Sequence, residues 1–215
     1  MPVKASERLG ITEGALEEFG AFDPVLDVDT RLFIDPALVR ACEVGEFRTA
    51  GATVEKRFID VMKLLAESKL RGDAFWRAAE RLFTFPELKG LCIGYADRRG
   101  TSGSGMGDRL RSQILVTAKA IVDTGIRDPS FFELMGLLEK NVGADRISDM
   151  LGGIVATEIA AYSQHVFDAV GVGDGRDLNI GDRTFLLPWN PFNDAPILLL
   201  PPLNPSRPAH RGELG

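Results

Sequence analysis

The feature that most restricts this chain is an apolar period of 3.6 residues that begins at Thr53. Val54, Phe58, Val61, Met62, Leu64 and Leu65 share one broad face, and Lys56, Arg57, Asp60, Lys63 and Glu67 lie opposite. That is the pattern of a helix burying one stripe against a core. A strand, with its period of two, would scatter the same residues over both faces. The helix is expected to end near Gly72, and Asp73 then caps a second one over 74–83, with Phe75, Trp76, Ala79, Leu82 and Phe83 on its apolar side. A third is predicted over 108–123, with Gly125 just beyond its end. Asp128-Pro129 places a cap before a proline at the first helical position, opening an amphipathic helix through Phe131, Phe132, Met135 and Leu138. The longest helix is predicted over 144–169. Gly152-Gly153 interrupts it, and since each interior glycine costs about 1 kcal/mol relative to alanine, a close packing contact is expected there.

Outside this block the patterns are shorter. Thr12 suits the N-cap of a short helix over 12–19. Residues 25–36 alternate apolar and acidic side chains before turning apolar, which predicts one strand or an extended arm closed by Pro36. Residues 88–95 read as a short strand and 171–181 as a polar loop. Residues 184–187 and 197–200 then read as two short strands around a turn over 188–194. The fold class that follows is α+β, predominantly α-helical, with a few short strands and a late hairpin-like element. Residues 1–200 are expected to form a single mainly helical domain, with a helical core over 53–170 and the strands over 182–200. Residues 201–215, rich in proline and without an apolar period, are expected to be a disordered or aberrant tail.

Composition removes several functions. A net charge of −6 gives no overall pull toward nucleic acid or acidic lipid, so any anion site must be local. Apolar runs such as 197–200 fall far short of the roughly 20 residues that cross a bilayer, and the amino end has no apolar signal core. A cytoplasmic location is the expectation. Cys42 and Cys92 have no partner at ligand spacing, which leaves zinc and dithiol chemistry unsupported. Of the two histidines, His210 lies in the tail, and His165 shares a helix with Ser163 but on another face.

Three patterns could carry chemistry. The stretch 94–111 holds Gly103, Gly105 and Gly107 among Arg98, Arg99, Arg109 and Arg111. Successive glycine N–H groups can converge on an anion, and the N-terminus of the following helix favours negative charge. The loop lacks the Gly-Lys-Ser/Thr ending of a Walker loop and the dinucleotide spacing, so a solvated connection accounts for it as readily as a phosphate site. Asp27 and Asp29, on one face of an extended segment, could hold Mg²⁺ with substrate phosphates, although aspartates beside turns and prolines also cluster for structural reasons, which is the first reading here. Asp145 and Asp149 lie one helical turn apart beside Gly152, Gly153, Ala156 and Ala160. They could join that metal site, or they could be tied to Arg146 as a cap, in which case Asp149→Asn should lower stability. Glu87-Leu88-Lys89 has the acidic-x-Lys spacing of a restriction-type nuclease, a tripeptide common by chance.

Four stretches resemble a known family when taken together. They are 29–36 (DTRLFIDP), 85–95 leading into the glycine loop, 143–149 (GADRISD), and 190–201, which opens Asn190-Pro191 and closes on an apolar run. They look like the amino-terminal region of a family of larger bacterial proteins of the phage-defence type, whose later portion resembles a restriction-endonuclease-like nuclease. The resemblance implies a continuation past Pro201 into a missing C-terminal portion or a partner chain. The strand read over 197–200 is itself apolar at every position, which suits neighbours on both faces, so the isolated chain is expected to show an apolar patch around Leu186, Leu187 and 197–200. The resemblance carries no catalytic residue onto this sequence. Two functions from different classes result. One is a non-catalytic recognition or regulatory module binding the phosphate of nucleic acid or a nucleotide through the Gly/Arg loop. The other is a self-contained, metal-dependent phosphoryl-transfer or hydrolytic enzyme using the aspartates, which their convergence in space would favour.

Overall fold

The computed structural model describes residues 2–85, 88–94 and 107–201. Two short helices, α1 (Ala5–Leu9) and α2 (Ala15–Glu18), open the chain. They are fastened to the segment that follows, since Ala5 N–H donates to Pro24 C=O and Leu26 N–H to Val3 C=O. Asp23, almost fully buried, accepts from both the backbone N–H and the hydroxyl of Ser6. Residues 25–35 form an extended arm held by two single bridges, Lys4 with Val25 and Thr30 with Ile93. Pro36 does more than close it. Asp35 accepts from Ala37 N–H, and Pro36 occupies the first position of α3 (Pro36–Ala41), a cap-and-proline start that the extended reading of this stretch overlooked.

The helical period at Thr53 becomes α4 (Ala50–Glu67), which buries Val54, Phe58, Val61, Met62 and Leu65. Asp73 caps α5 (Ala74–Leu82) by accepting from Trp76 N–H, and α6 (Asp108–Asp123) ends with Gly125 at φ +94°. Both helices and α3 pack on α4. The helix expected after Asp128 is instead a 3₁₀ turn, Pro129–Phe132, followed by α7 (Met135–Leu138). The tighter turn carries Phe131 and Phe132 inward together. Their ring centroids lie 4.4 Å apart, and Phe132, fully buried, also stacks on Phe58 at 4.7 Å.

The long helix predicted over 144–169 is two: α8 (Ala144–Ile154) and α9 (Ala156–Ala169), broken where Val155 leaves helical geometry at φ −100° and ψ 24°. The packing reason expected at the glycine pair is present at Gly152. A Cβ there would stand 3.4 Å from Ile34 Cδ1 and 3.7 Å from Leu91 Cδ1, so the arm and the segment around Leu91 lie directly on the helix. Ser148, on the same helix, accepts Ile34 N–H inside the core.

The late β element is a hairpin, β1 (Arg176–Ile180) with β2 (Arg183–Leu187), in register from Arg176 opposite Leu187 to Ile180 opposite Arg183. Its two-residue turn puts Gly181 at φ +61° in the first central position, where a hairpin turn requires glycine or a similarly permissive residue. β1 lies within the stretch read as a polar loop, because an exposed strand shows no apolar alternation. A second pair, β3 (Trp189–Asn190) with β4 (Ala195–Pro196), is only two residues long.

Residues 197–200 are not a strand. Ile197 N–H donates to Pro188 C=O, Leu198 N–H to Gly90 C=O and Leu199 N–H to Ser163 Oγ, while Leu200 C=O accepts from Phe22 N–H. Four separate segments satisfy the backbone, where a ladder would need flat neighbours. The expected apolar patch is therefore absent: Leu187 and all four residues of this run are buried by the chain's own elements, and only Leu186 stays half exposed. The architecture is a predominantly helical α+β fold, with nine α-helices and two small antiparallel strand pairs among the described residues. No described helix is long and apolar enough to cross a membrane. The tail expected from 201 lies outside the described residues beyond Pro201.

Candidate functional site

The first group of candidate residues gathers at the start of α8. Arg146 stands between the two acids of its own helix, with Nε 3.8 Å from Asp145 Oδ2 and a terminal nitrogen 4.0 Å from Asp149 Oδ2. Asp145 folds back over Gly143, where an added Cβ would meet its Oδ1 at 2.6 Å. The bridge from Thr30 to Ile93 brings Asp29 to the same place, with its Oδ2 3.9 Å from the position of a Cβ on Gly94. Burial pushes the Asp149 carboxyl above its ordinary value; Arg146 opposes the shift, and the charges of Asp145 and Asp29 reinforce it. Asp149 thus feels both Asp145 and Asp29.

Asp27 does not join them. Residues 26–28 bend instead of running as a strand, so the two-residue alternation that would have paired Asp27 with Asp29 is lost. Asp27 accepts Val3 N–H at 3.1 Å. Among the described residues no three His, Cys, Asp or Glu side chains are grouped as metal ligands. A guanidinium inserted between two of the carboxylates is a poor fit to a Mg²⁺ site, which needs converging oxygens.

The second group lies along α6. Arg98, Arg99, Gly103 and Gly105 fall outside the described residues; Gly107 is the N-cap of α6 and, being glycine, brings no side chain to cap that helix end. Arg109 and Arg111 sit in its first turn. Arg111 is matched by Asp108 at 2.7 Å. Arg109 has no ion pair among the described residues, and it shares a groove of about 390 Å³ with Arg71, which donates to Ser112 Oγ at 2.6 Å. Gln113 and Val116 continue the floor, and at the far end Glu139 accepts a hydrogen bond from the Thr117 hydroxyl. The spacing of these α6 residues, three and four apart, puts them on one face, while Ile114, Leu115, Ala118 and Val122 bury the other.

A family model described as a domain of unknown function, DUF8370, matches residues 10–203. The chain belongs to that family. Both charged groups lie within the matched residues. No curated protein matches the chain, and no solved structure does.

Two polar residues of this DUF8370 chain, Arg71 and Asn190, draw no functional reading from the sequence. Arg71 lies 38 positions before Arg109, in the turn between α4 and α5, and only the packing of those two helices against α6 joins them. Asn190, fully buried, donates to Leu26 C=O and accepts from Phe192 N–H. Ser163, also fully buried, donates to Ile159 C=O and accepts from Leu199 N–H, so it has no part in a triad with His165, whose Nδ1 pairs with Glu46 at 2.6 Å on the surface. Cys92, which is buried, has its thiol pushed up to about 11 by burial first and by Asp29 second, as suits an inert packing residue. Of Glu87-Leu88-Lys89, Glu87 lies outside the described residues.

Proposed function

We propose that this chain is a non-catalytic recognition or regulatory module that binds the phosphate of a nucleic acid or nucleotide. The site comprises the Gly/Arg loop leading into α6 and the groove behind it. The observation that carries this reading is the placing of Arg71 and Arg109 in one groove, with no ion pair to either among the described residues, beside a helix N-terminus whose N-cap is a glycine. The positive end of a helix and two guanidinium groups offer donors and positive potential to the same anion. The wider setting, a phage-defence-type protein acting with a nuclease-like portion or partner chain, is part of the proposal and rests on the resemblance of the four sequence stretches.

The metal-dependent alternative receives less support. It would use Asp27, Asp29, Asp145 and Asp149, of which Asp27 is engaged by Val3 and the last two flank Arg146. The test is binding of nucleotides and short oligonucleotides by the parent, by a variant carrying Arg98→Ala and Arg99→Ala, and by one carrying Arg71→Ala and Arg109→Ala, each over a range of salt. Binding that weakens with salt and is lost in the variants is the expected result. Salt-insensitive binding that survives both pairs of substitutions, or no binding by the parent, would sink the reading.

A further inference from the structure

From the layout of the α6 groove we infer that its ligand is a small phosphate monoester bearing a hydroxylated sugar, of the ribose 5-phosphate type, and not a polynucleotide strand. The inference rests on the phosphate-binding reading above and narrows it. The groove is polarised along its length. Arg71, Arg109 and the Ser112 hydroxyl stand at the N-terminal end, Val116 makes an apolar stretch of floor, and Thr117 with Glu139 closes the other end. Two guanidinium groups match the double charge of a monoester, where a phosphodiester carries one.

Glu139 decides between the ligand classes. From Arg109 to Thr117 the helix rises by roughly 12 Å at 1.5 Å per residue. A strand following the groove repeats its phosphate charge at every nucleotide, so it would set further phosphates along that span and bring the last against the carboxylate. The same carboxylate accepts well from hydroxyl groups, and the Thr117 hydroxyl bonded to it holds it at the wall. The volume, about 390 Å³, lies within the range of small-molecule sites. The net charge of −6 adds to the bias against a polyanion.

Titration calorimetry on the intact chain tests this with four probes: inorganic phosphate, ribose 5-phosphate, adenosine 5′-monophosphate and a short single-stranded oligonucleotide. Ribose 5-phosphate is expected to bind several-fold more tightly than inorganic phosphate, with the oligonucleotide weakest. A further gain with the monophosphate would identify a nucleotide as the source of the sugar phosphate, and equal affinity would identify the sugar phosphate alone. Arg71→Ala and Arg109→Ala should each weaken monoester binding about tenfold or more. Glu139→Gln should reduce the ratio of ribose 5-phosphate affinity to inorganic phosphate affinity. Thr117→Val should reduce it too, and melting curves confirm that each variant is folded.

An oligonucleotide that binds most tightly, through the same arginines, would overturn this inference while leaving the phosphate-recognition reading in place. Equal affinity of the parent for inorganic phosphate and ribose 5-phosphate would overturn it likewise. Failure of every phosphate species to bind would overturn both.

Discussion

The junction at α8 and the groove along α6 both concentrate charge, and they dispose of it differently. At α8 the acids Asp145 and Asp149 have Arg146 between them, on a helix into which Ile34, Leu91 and the bond to Ser148 are packed. Along α6, Arg71 and Arg109 face a groove, and neither has an ion pair among the described residues. A charge compensated within the fold has its field cancelled at short range, and what remains is its desolvation cost. An uncompensated charge at a groove costs the fold little, because water still solvates it, and it is available to a ligand. The first region is thus tied up within the fold, and the second is the one we propose for binding. Substitutions in the junction and the buried segments behind it should therefore move stability, and substitutions in the groove should move binding alone.

The largest effect is expected behind the junction, where Gly90 sits at φ +104° and an added Cβ would stand 1.9 Å from Pro196 C=O. Backbone cannot retreat there without breaking the bond from Leu198 N–H to Gly90 C=O. Gly90→Ala should cost roughly 3 kcal/mol or more and lower the melting temperature by about 6 °C or more. A variant melting with the parent would show this crossing to be loose.

Next comes Ser163→Ala, which leaves the buried Leu199 N–H without its acceptor. The expected loss is about 1–3 kcal/mol, read from denaturant unfolding. Retained stability would mean that 197–200 is not held as described.

Asp149→Asn sharpens the comparison through its sign. Had the Arg146 tie dominated, the Asp149 carboxyl would titrate below its ordinary value, and the substitution would destabilise. Burial instead raises the pKa, so the folded state disfavours the ionised form. The penalty is absent below the ordinary value of 3.8, grows as pH rises through the raised folded value, and is complete at neutral pH. Asp149→Asn should therefore stabilise slightly at pH 7, by under about 1 kcal/mol because the side chain is 42% exposed, and the gain should vanish as the pH falls below 3.8. A loss of stability at neutral pH would restore Arg146 as the dominant influence.

The smallest effect on stability is expected for Arg109→Ala, within about 0.5 kcal/mol of the parent, since the side chain is exposed and has no ion pair among the described residues. The same variant should lose phosphate binding. If it unfolds more readily instead, the groove belongs to the structural class and the contrast between the two regions fails.

Local chemistry settled much of this before any contact was known. The period at Thr53 is α4, the Asp73 cap is α5, and the helix after the glycine loop is α6 between Gly107 and Gly125, because apolar spacing, side-chain capping and glycine's left-handed backbone act within a few residues of one another. Tertiary structure decided the rest. Val155 breaks the long helix so that α9 can pack on β2 while α8 meets the arm, a choice invisible to period alone. The run 197–200 is apolar at every position and so had to be buried, yet whether a ladder or four unrelated segments would bury it depended on Pro188, Gly90, Ser163 and Phe22, all distant in the chain. The pairing of Arg71 with Arg109, the separation of Asp27 from Asp29 and the burial that raises Asp149 are likewise distances and solvent exclusion, which arise only when remote elements pack.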